Sequence, residues 1–228
     1  MIGDKIVIRP HHTKAAEGAY VKVKKKINEK HGERLAITVA GESGSGKSEI
    51  AYELARLLHE KDSLKVIILA QDDYFILPPK SNAEARKKDI AHVGMHEVNL
   101  PLLDDNIAEI KRAGGVDFIG DTLGTGTKKK LIKPLVDFDR DEIGSEEIDT
   151  AGANVVIAEG TYTTALRNAD IRIFIDRVYQ DTLEHRRERG RDELDEYTEK
   201  ILEIEHGIIS THKENADIVV KKDYSVDD

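Results

Sequence analysis

The chain of 228 residues contains no cysteine and no tryptophan, and aromatic residues make up only 5% of it. The absence of cysteine excludes disulfide bonds, thiol catalysis, iron–sulfur clusters and zinc fingers. It suits a reducing compartment, and the N-terminal segment MIGDKIVIRPHH lacks the pattern of a secretory signal. No apolar run approaches the ~20 residues that span a bilayer. We therefore expect a cytoplasmic protein that does not contact membranes.

Positive charge is also in short supply. The chain has 35 Lys and Arg against 44 Asp and Glu, which gives a net charge of −9. Because a protein that coats nucleic acid needs a basic face toward the phosphate backbone, we expect no nucleic-acid partner. The lysine run at residues 24–26 is shorter than known basic patches and is typical of a solvated helix end.

Five short apolar runs predict the strands of one sheet. They lie at residues 35–40, 66–70, 155–158, 171–175 and 218–220. The runs are continuous rather than alternating, which indicates strands that helices cover on both faces. The predicted fold is therefore α/β: a three-layer sandwich with a mainly parallel sheet and helices on both faces.

The segments between and before these strands predict helices. Apolar positions spaced three and four apart predict helices at residues 13–30, 47–61 and 104–113. We expect an N-terminal extension at residues 1–33, with a short strand at residues 6–8 before its helix. The main domain then covers residues 34–228, with an excursion outside the sheet at about residues 73–145. Within this excursion, residues 120–130 indicate a loop or hairpin.

The junction between the first strand and the next helix carries a chemical motif. Residues 41–48, GESGSGKS, match the pattern G-x-x-x-x-G-K-S/T at every fixed position. Glycines let the backbone turn its N–H groups toward phosphates, and the helix N-terminus favours the same negative charge. We expect Lys47 to contact the β- and γ-phosphates of ATP and Ser48 to bind Mg²⁺. The predicted nucleotide-binding residues are Gly41, Glu42, Ser43, Gly44, Ser45, Gly46, Lys47 and Ser48.

Carboxylates follow two other predicted strands. Glu159 ends the strand at residues 155–158, where it would supply a second oxygen ligand for Mg²⁺. Asp72 and Asp73 follow the strand at residues 66–70. Because the carboxyl ends of parallel strands meet at one edge, we expect Asp72 to accept the proton of an attacking hydroxyl. A solvated turn is the alternative interpretation of both aspartates.

An arginine cluster lies late in the chain, with Arg186, Arg187, Arg189 and Arg191 within six positions. Such close positive charges repel one another unless anions bind them, and guanidinium groups bind phosphate oxygens bidentately. The cluster predicts an arginine lid over the phosphoryl group that is transferred. A helix surface paired with neighbouring glutamates is the alternative.

In this order, these segments resemble the uridine kinase and phosphoribulokinase family of P-loop kinases, over about residues 34–222. The resemblance is strongest in GESGSGKS, in QDDYF at residues 71–75, in VVIAEG at 155–160, in ERGRD at 188–192 and in ENADIVV at 214–220. It implies a kinase that uses ATP and Mg²⁺ to phosphorylate a hydroxyl of a small molecule. The general base then falls on Asp72, and Arg189 and Arg191 contact ATP, with Arg186 a looser match.

The resemblance also implies a nucleoside acceptor, uridine or cytidine. Acceptor-side candidates in the matching segments are Asp73, Tyr74, Phe75, His96, Glu97 and Asp137. The acceptor segments depart from the family pattern, since Gly94 replaces an aspartate that binds ribose hydroxyls and Val136 replaces a tyrosine. A sugar phosphate or another metabolite, as in phosphoribulokinases, is therefore an alternative acceptor.

Other classes of function remain open at this stage. A nucleotide-driven switch would account for the D-x-x-G motif at residues 121–124, but the N-K-x-D motif that selects guanine is absent. A non-catalytic nucleotide binder is disfavoured by the intact motif residues. A metal site at His92, His96 and Glu97 is disfavoured because no third histidine lies nearby. The oligomeric state stays open, with a homo-oligomer as one alternative.

Overall fold

The computed structural model describes residues 2, 6–30, 33–112, 130–183, 186 and 195–227. Its strands are β1 (Leu35–Gly41), β2 (Val66–Ala70), β3 (Lys130–Asp137), β4 (Glu142–Asp149), β5 (Val155–Glu159), β6 (Ile171–Ile175) and β7 (Ile218–Val220). Its α-helices are α1 (Pro10–Glu29), α2 (Lys47–Asp62), α3 (Pro79–Lys88), α4 (Leu100–Arg112) and α5 (Glu196–Ile209). None of these helices combines the length and apolar character that a membrane crossing requires.

Five strands form a parallel sheet in the order β2-β5-β1-β6-β7. Successive side chains of β1 enter two different cores. Ile37 and Val39 pack with α1 and α2 on one face, whereas Ala36 and Ala40 pack with α4 on the other. Burial on both faces explains the continuous apolar runs. The predicted α/β fold and all five sheet strands are confirmed, with β1 and β5 each one residue longer than predicted.

Helix α1 starts at Pro10, three residues before the predicted start. Proline suits the first turn because its missing N–H would have no partner there. The predicted strand at residues 6–8 is wrong: these residues form no strand, and Val7 and Ile8 are exposed. Ala15, Ala16 and Ala19 are fully buried, and their small side chains let α1 pack closely on α2.

The central part of the chain is more regular than predicted. Helix α4 contributes Leu103, Ile107 and Ile110 to the second core. Strands β3 and β4 form a separate antiparallel hairpin, in which Lys133 lies opposite Glu146. The predicted loop at residues 120–130 lies outside the described residues except for Lys130, which begins β3. The division of the chain at residue 33 stays a prediction.

Candidate active site

The loop at residues 41–48, called the P-loop below, connects β1 to α2 at the carboxyl edge of the sheet. Gly44 and Gly46 have φ angles of 77° and 96°, a left-handed conformation that glycine adopts most easily. Lys47 Nζ donates a 2.9 Å hydrogen bond to the Glu42 carbonyl, so its ammonium group lies over the loop. The motif thus has the backbone turn and the cation that binding of phosphates requires.

Glu159 ends β5, next to the P-loop helix. Ser48 Oγ donates a 3.1 Å hydrogen bond to Glu159 Oε2. Burial and, to a smaller extent, the negative charge of Asp72 together raise the pKa of Glu159 from 4.5 to about 7, against the opposing effect of Lys47. A hydroxyl and a carboxylate oxygen are suitable ligands for Mg²⁺, which takes its other ligands from phosphates and water. The described residues contain no group of three carboxylate or imidazole side chains that would form a complete metal site.

A close contact between the ends of β2 and β5 positions Asp72. A Cβ atom at Gly160, which has a φ angle of 155°, would lie only 2.2 Å from Gln71 Cβ. The side chain of Gln71 therefore fills the space that glycine leaves, and its Oε1 accepts a 2.7 Å hydrogen bond from Tyr162 N. The sequence alone does not identify Gln71 as a residue that positions Asp72. The one hint is the glycine after Glu159, which is distant from Gln71 in the sequence.

The two adjacent aspartates lie in different environments. A short 3-10 turn at Gln71–Tyr74 follows β2, and neighbouring side chains on such a turn point about 120° apart. Asp72 is half-buried and lines a cavity beside the P-loop. Asp73 is 3% exposed and accepts hydrogen bonds from Lys133 Nζ at 2.7 Å and Val136 N at 3.2 Å. Asp73 thus forms an ion pair that attaches the β3 strand; its acceptor role stays a prediction, which this burial disfavours.

The two aromatic residues that follow also differ. Tyr74 is buried in the second core, and its Oη accepts a 2.9 Å hydrogen bond from Asn106 Nδ2. Tyr74 therefore has a packing role, and its acceptor contact stays a prediction that this burial disfavours. Phe75 lines the cavity that Asp72 lines. Of these two aromatic rings, the Phe75 ring thus lies beside the cavity and the Tyr74 ring lies in the core.

The cavity has a volume of about 420 Å³ and lies between the P-loop, α3 and α5. Ser43 and Arg186 line its P-loop side, and Asp72 lines it next to them. Tyr197 and Glu205 line it from α5. Its volume falls within the range of small-molecule sites. Tyr197 and Glu205 are not among the predicted site residues, since nothing in the local sequence places α5 here.

Arg86 on α3 joins the cavity to two carboxylates. Its Nη2 donates to Glu97 Oε2 at 2.9 Å and to Glu205 Oε1 at 3.2 Å, and its Nε contacts Glu97 Oε1. Burial alone would raise the pKa of Glu97, but Arg86 and the N–H of Gly94 outweigh it and lower the pKa. Burial raises the pKa of Glu205, and the positive charge of Arg86 offsets only part of this rise. Glu97 therefore holds Arg86, and Arg86 lines the cavity; a direct contact between Glu97 and the acceptor stays a prediction.

Two other predicted acceptor residues lie away from this cavity. The His96 side chain is exposed, and its ring centroid is 5.5 Å from that of His92. Asp137 Oδ1 accepts hydrogen bonds from the backbone N–H groups of Asp139 and Arg140, at 3.1 and 3.0 Å. These hydrogen bonds stabilise the β3–β4 turn, and its acceptor contact stays a prediction.

Of the predicted arginine lid, the structure describes Arg186. Its side chain is 6% exposed and lies so close to the P-loop that a Cβ at Gly44 would be 2.8 Å from its Cγ. Arg189 and Arg191 lie outside the described residues, so their predicted contacts with ATP stay predictions. Arg186 therefore lies beside both the phosphate-binding loop and the cavity.

Relatives carry kinase names. The chain is 28% identical over 219 residues to the bifunctional alpha-galactosidase/sucrose kinase AgaSK of Mediterraneibacter gnavus, covering 93% of this chain but only 23% of that protein. It is 28% identical over 200 residues to the uridine kinase of Lactobacillus helveticus, covering 82% of this chain and 85% of that enzyme. Among solved structures, phosphoribulokinase from Rhodobacter spheroides shares the fold, with a TM-score of 0.58 and 15% identity over 83% of this chain and 70% of that one.

A family model assigns the chain more directly. The model of the phosphoribulokinase/uridine kinase family matches residues 36–226. This range contains the P-loop, Glu159 and the aspartates that follow β2, which are the groups assembled at the carboxyl edge of the sheet. The chain therefore belongs to the phosphoribulokinase/uridine kinase family.

Proposed function

We propose that this chain transfers the γ-phosphoryl group of ATP to a hydroxyl of a small, uncharged polyhydroxy molecule, with uridine or cytidine as the leading acceptors. One observation carries the proposal: Asp72 lines a cavity together with Ser43 of the P-loop, and its charge acts on Glu159. A carboxylate thus lies where a phosphate-binding loop meets a pocket for a second molecule.

The P-loop performs the donor half of the reaction. Its backbone N–H groups bind the phosphates, and Lys47 neutralises charge on the β- and γ-phosphates. Ser48 and Glu159 would hold Mg²⁺, and the bound ion would neutralise the charge that develops on the phosphate oxygens. Such positioning and charge neutralisation account for most of the rate enhancement in phosphoryl transfer.

Asp72 performs the acceptor half. It takes the proton of the acceptor hydroxyl as the hydroxyl oxygen forms a bond to the γ-phosphorus. The bond from that phosphorus to the bridging oxygen breaks, and ADP leaves with the electron pair. Arg186 lies beside Gly44 and supplies positive charge near the transferred group. Arg189 and Arg191 close over it as the proposed lid.

The charges around the cavity favour an uncharged acceptor. Arg86 is already paired with Glu97 and Glu205. Lys87 is exposed, and its charge acts on Asp195, another residue that lines the cavity. The positive charges on α3 are therefore already balanced by carboxylates and would attract a phosphate on the acceptor only weakly. This argues against a sugar phosphate as the acceptor. Phe75 offers a ring face on which a base or sugar ring stacks.

A neutral sugar is the second candidate acceptor. Gly94 stands where a nucleoside kinase pattern has an aspartate for ribose hydroxyls, and its N–H donates to Glu97 at 2.7 Å. The similarity to a protein named a sucrose kinase supports the same class. This candidate shares the donor half and Asp72 with the leading one, so only the acceptor distinguishes them.

A coupled assay of ADP release tests the proposal with uridine, cytidine, neutral sugars and ribulose 5-phosphate as separate acceptors. We expect ATP turnover that depends on a nucleoside or a neutral sugar, with a phosphorylated product detected by mass spectrometry. Turnover that no acceptor stimulates would instead indicate a nucleotide-driven switch. Stimulation by the sugar phosphate alone would overturn the argument from charge.

A further inference from the structure

Helix α1 lies outside the family-model match, which begins at residue 36, yet its first turn contacts the P-loop. His12 is 1% exposed, and a Cβ at Gly46 would lie 3.0 Å from His12 Nε2. Gly46 is the glycine directly before Lys47 in the phosphate-binding motif. An element that the family pattern does not include therefore packs against the part of the P-loop that leads into α2.

The position of His12 is itself fixed by hydrogen bonds. The N–H of Arg9 donates to His12 Nδ1 at 3.2 Å, so the ring proton resides on Nε2. That nitrogen lies 3.0 Å from His11 Nε2 and donates to it. Farther along α1, Ala16 and Val23 are fully buried against the core. His12 is thus held at the end of a firmly packed helix rather than on a loose terminus.

A residue from the other end of the chain contacts the preceding P-loop position. Tyr224 Oη donates to the Ser45 carbonyl at 3.3 Å. Burial raises the pKa of Tyr224, so the hydroxyl keeps the proton that it donates. The Tyr224 ring lies between two groups: Arg177, 4.7 Å from its centroid, and the His11 ring, at a centroid distance of 4.4 Å. Tyr224 and the histidines therefore form one contact layer behind the P-loop.

We propose that His12 and Tyr224 are positioning residues of the nucleotide site, which hold residues 45–46 in the conformation that binds phosphates. The inference rests on the proposed use of ATP. Gly46 has a left-handed φ angle of 96°, and glycine has many other conformations available. When only a fraction of the molecules has the competent loop, the apparent dissociation constant of the nucleotide rises in inverse proportion to that fraction. Contacts from behind the loop raise the fraction without touching the nucleotide.

Isothermal titration of the full chain with ADP and Mg²⁺ tests this inference without any acceptor. We expect His12→Ala to weaken ADP binding by about tenfold, because the loop loses its support and the competent fraction falls. His12→Gln, which refills part of the space, should recover some of that loss. Tyr224→Phe keeps the ring and removes only the hydroxyl, so we expect a rise of about threefold in the dissociation constant.

The matched control is Val23→Ala, which removes buried atoms from the same helix far from the P-loop. We expect it to lower the melting temperature, with ADP affinity unchanged within about twofold. Equal losses of affinity in both variants would show that α1 acts through stability alone and would overturn the inference. Unchanged affinity in both His12→Ala and Tyr224→Phe would overturn it too.

Steady-state kinetics give a second readout once an acceptor is known. His12→Ala should raise the KM for ATP by about tenfold while kcat and the acceptor KM change less than about threefold, since the loop conformation affects only nucleotide binding. A fall in kcat with an unchanged KM for ATP would contradict this. If the wild-type chain binds no ADP, the proposed function fails, and the inference fails with it. If the wild type binds and the variants bind equally, the inference alone fails.

Discussion

The donor and acceptor halves of the site are built differently. The donor half consists of eight consecutive residues and one carboxylate that ends a neighbouring strand. The acceptor half depends on pairs that are distant in sequence: Asp73 and Lys133 are 60 residues apart, and Arg86 and Glu205 are 119 apart. A local motif therefore determines how phosphates are bound, whereas long-range ion pairs determine which carboxylates face the second molecule.

The largest expected effect tests the assignment of the two adjacent aspartates. Asp72→Asn should lower kcat by about 10²–10⁴, because the amide cannot take the hydroxyl proton. The melting temperature should stay close to that of the wild type, since Asp72 is only half-buried. Steady-state turnover and thermal unfolding measure both effects. A fall of less than about tenfold would remove Asp72 from the reaction.

Asp73→Asn is the matched neighbour and should act on stability instead. The change removes one of the two carboxylates that the buried Lys133 ammonium contacts and leaves Glu146 at 3.1 Å as the other, so we expect a loss of about 1–3 kcal/mol of unfolding free energy. Denaturant unfolding measures the loss. Adding Lys133→Met should restore part of the stability, because the buried charge is then gone. A stable Asp73→Asn protein with greatly lowered kcat would reverse the roles assigned to the two aspartates.

Glu159 should make stability depend on pH in the metal-free protein. Its pKa is about 7 in the folded state against 4.5 in the unfolded state, so the unfolded chain loses the proton first. The contribution of Glu159 to the free energy of unfolding is therefore highest below pH 4.5. It falls by up to about 3 kcal/mol as the pH rises from 4.5 to about 7. Urea unfolding across this range should show the decline, and Glu159→Gln should remove it. Equal pH slopes for both proteins would contradict the burial of an ionisable carboxyl there.

Glu97→Gln tests whether Glu97 affects acceptor binding by holding Arg86 at the cavity. The change weakens the support of Arg86, so the acceptor KM should rise by about tenfold, or about 1.4 kcal/mol. The KM for ATP should not change, because the P-loop lies on the other side of the cavity. A rise in both KM values would mean that Arg86 acts on the whole site.

The smallest effect is expected for Asp137→Ala. The hydrogen bonds that the carboxylate accepts lie within the β3–β4 turn, so its loss should cost about 1 kcal/mol or less. The acceptor KM should stay within about twofold of the wild type. A large rise in the acceptor KM would restore the acceptor role that the sequence predicts for Asp137.

The sequence predicts the sheet well because each buried strand needs apolar residues on both faces. Continuous apolar runs such as residues 155–158 are typical of parallel strands that helices cover on both sides. The sequence does not predict the hairpin of β3 and β4, because β4, with the sequence EIGSEEID, is mostly exposed and carries no apolar run. The predicted start of α1 is too late because Pro10 also suits the end of a strand. Exposed elements and helix starts depend on contacts that a short stretch of sequence does not reveal.

Within the site, the sequence predicts what is local. The P-loop, Glu159 and Asp72 follow strand ends, and the structure brings all three to one edge of the sheet. It does not predict that Asp73 pairs with Lys133, because either aspartate has the same local surroundings. Nor does it reveal Arg86 or Glu205 as neighbours, since that pair requires α3 and α5 to pack together.

A crystal structure with a non-hydrolysable ATP analogue, Mg²⁺ and the acceptor found in the turnover assay tests the central claim most directly. We predict the γ-phosphate between Lys47 and Asp72, with an acceptor hydroxyl within about 2.6–3.2 Å of the Asp72 carboxylate. A triphosphate bound away from residues 41–48, or an acceptor whose hydroxyl faces another carboxylate, would contradict the account.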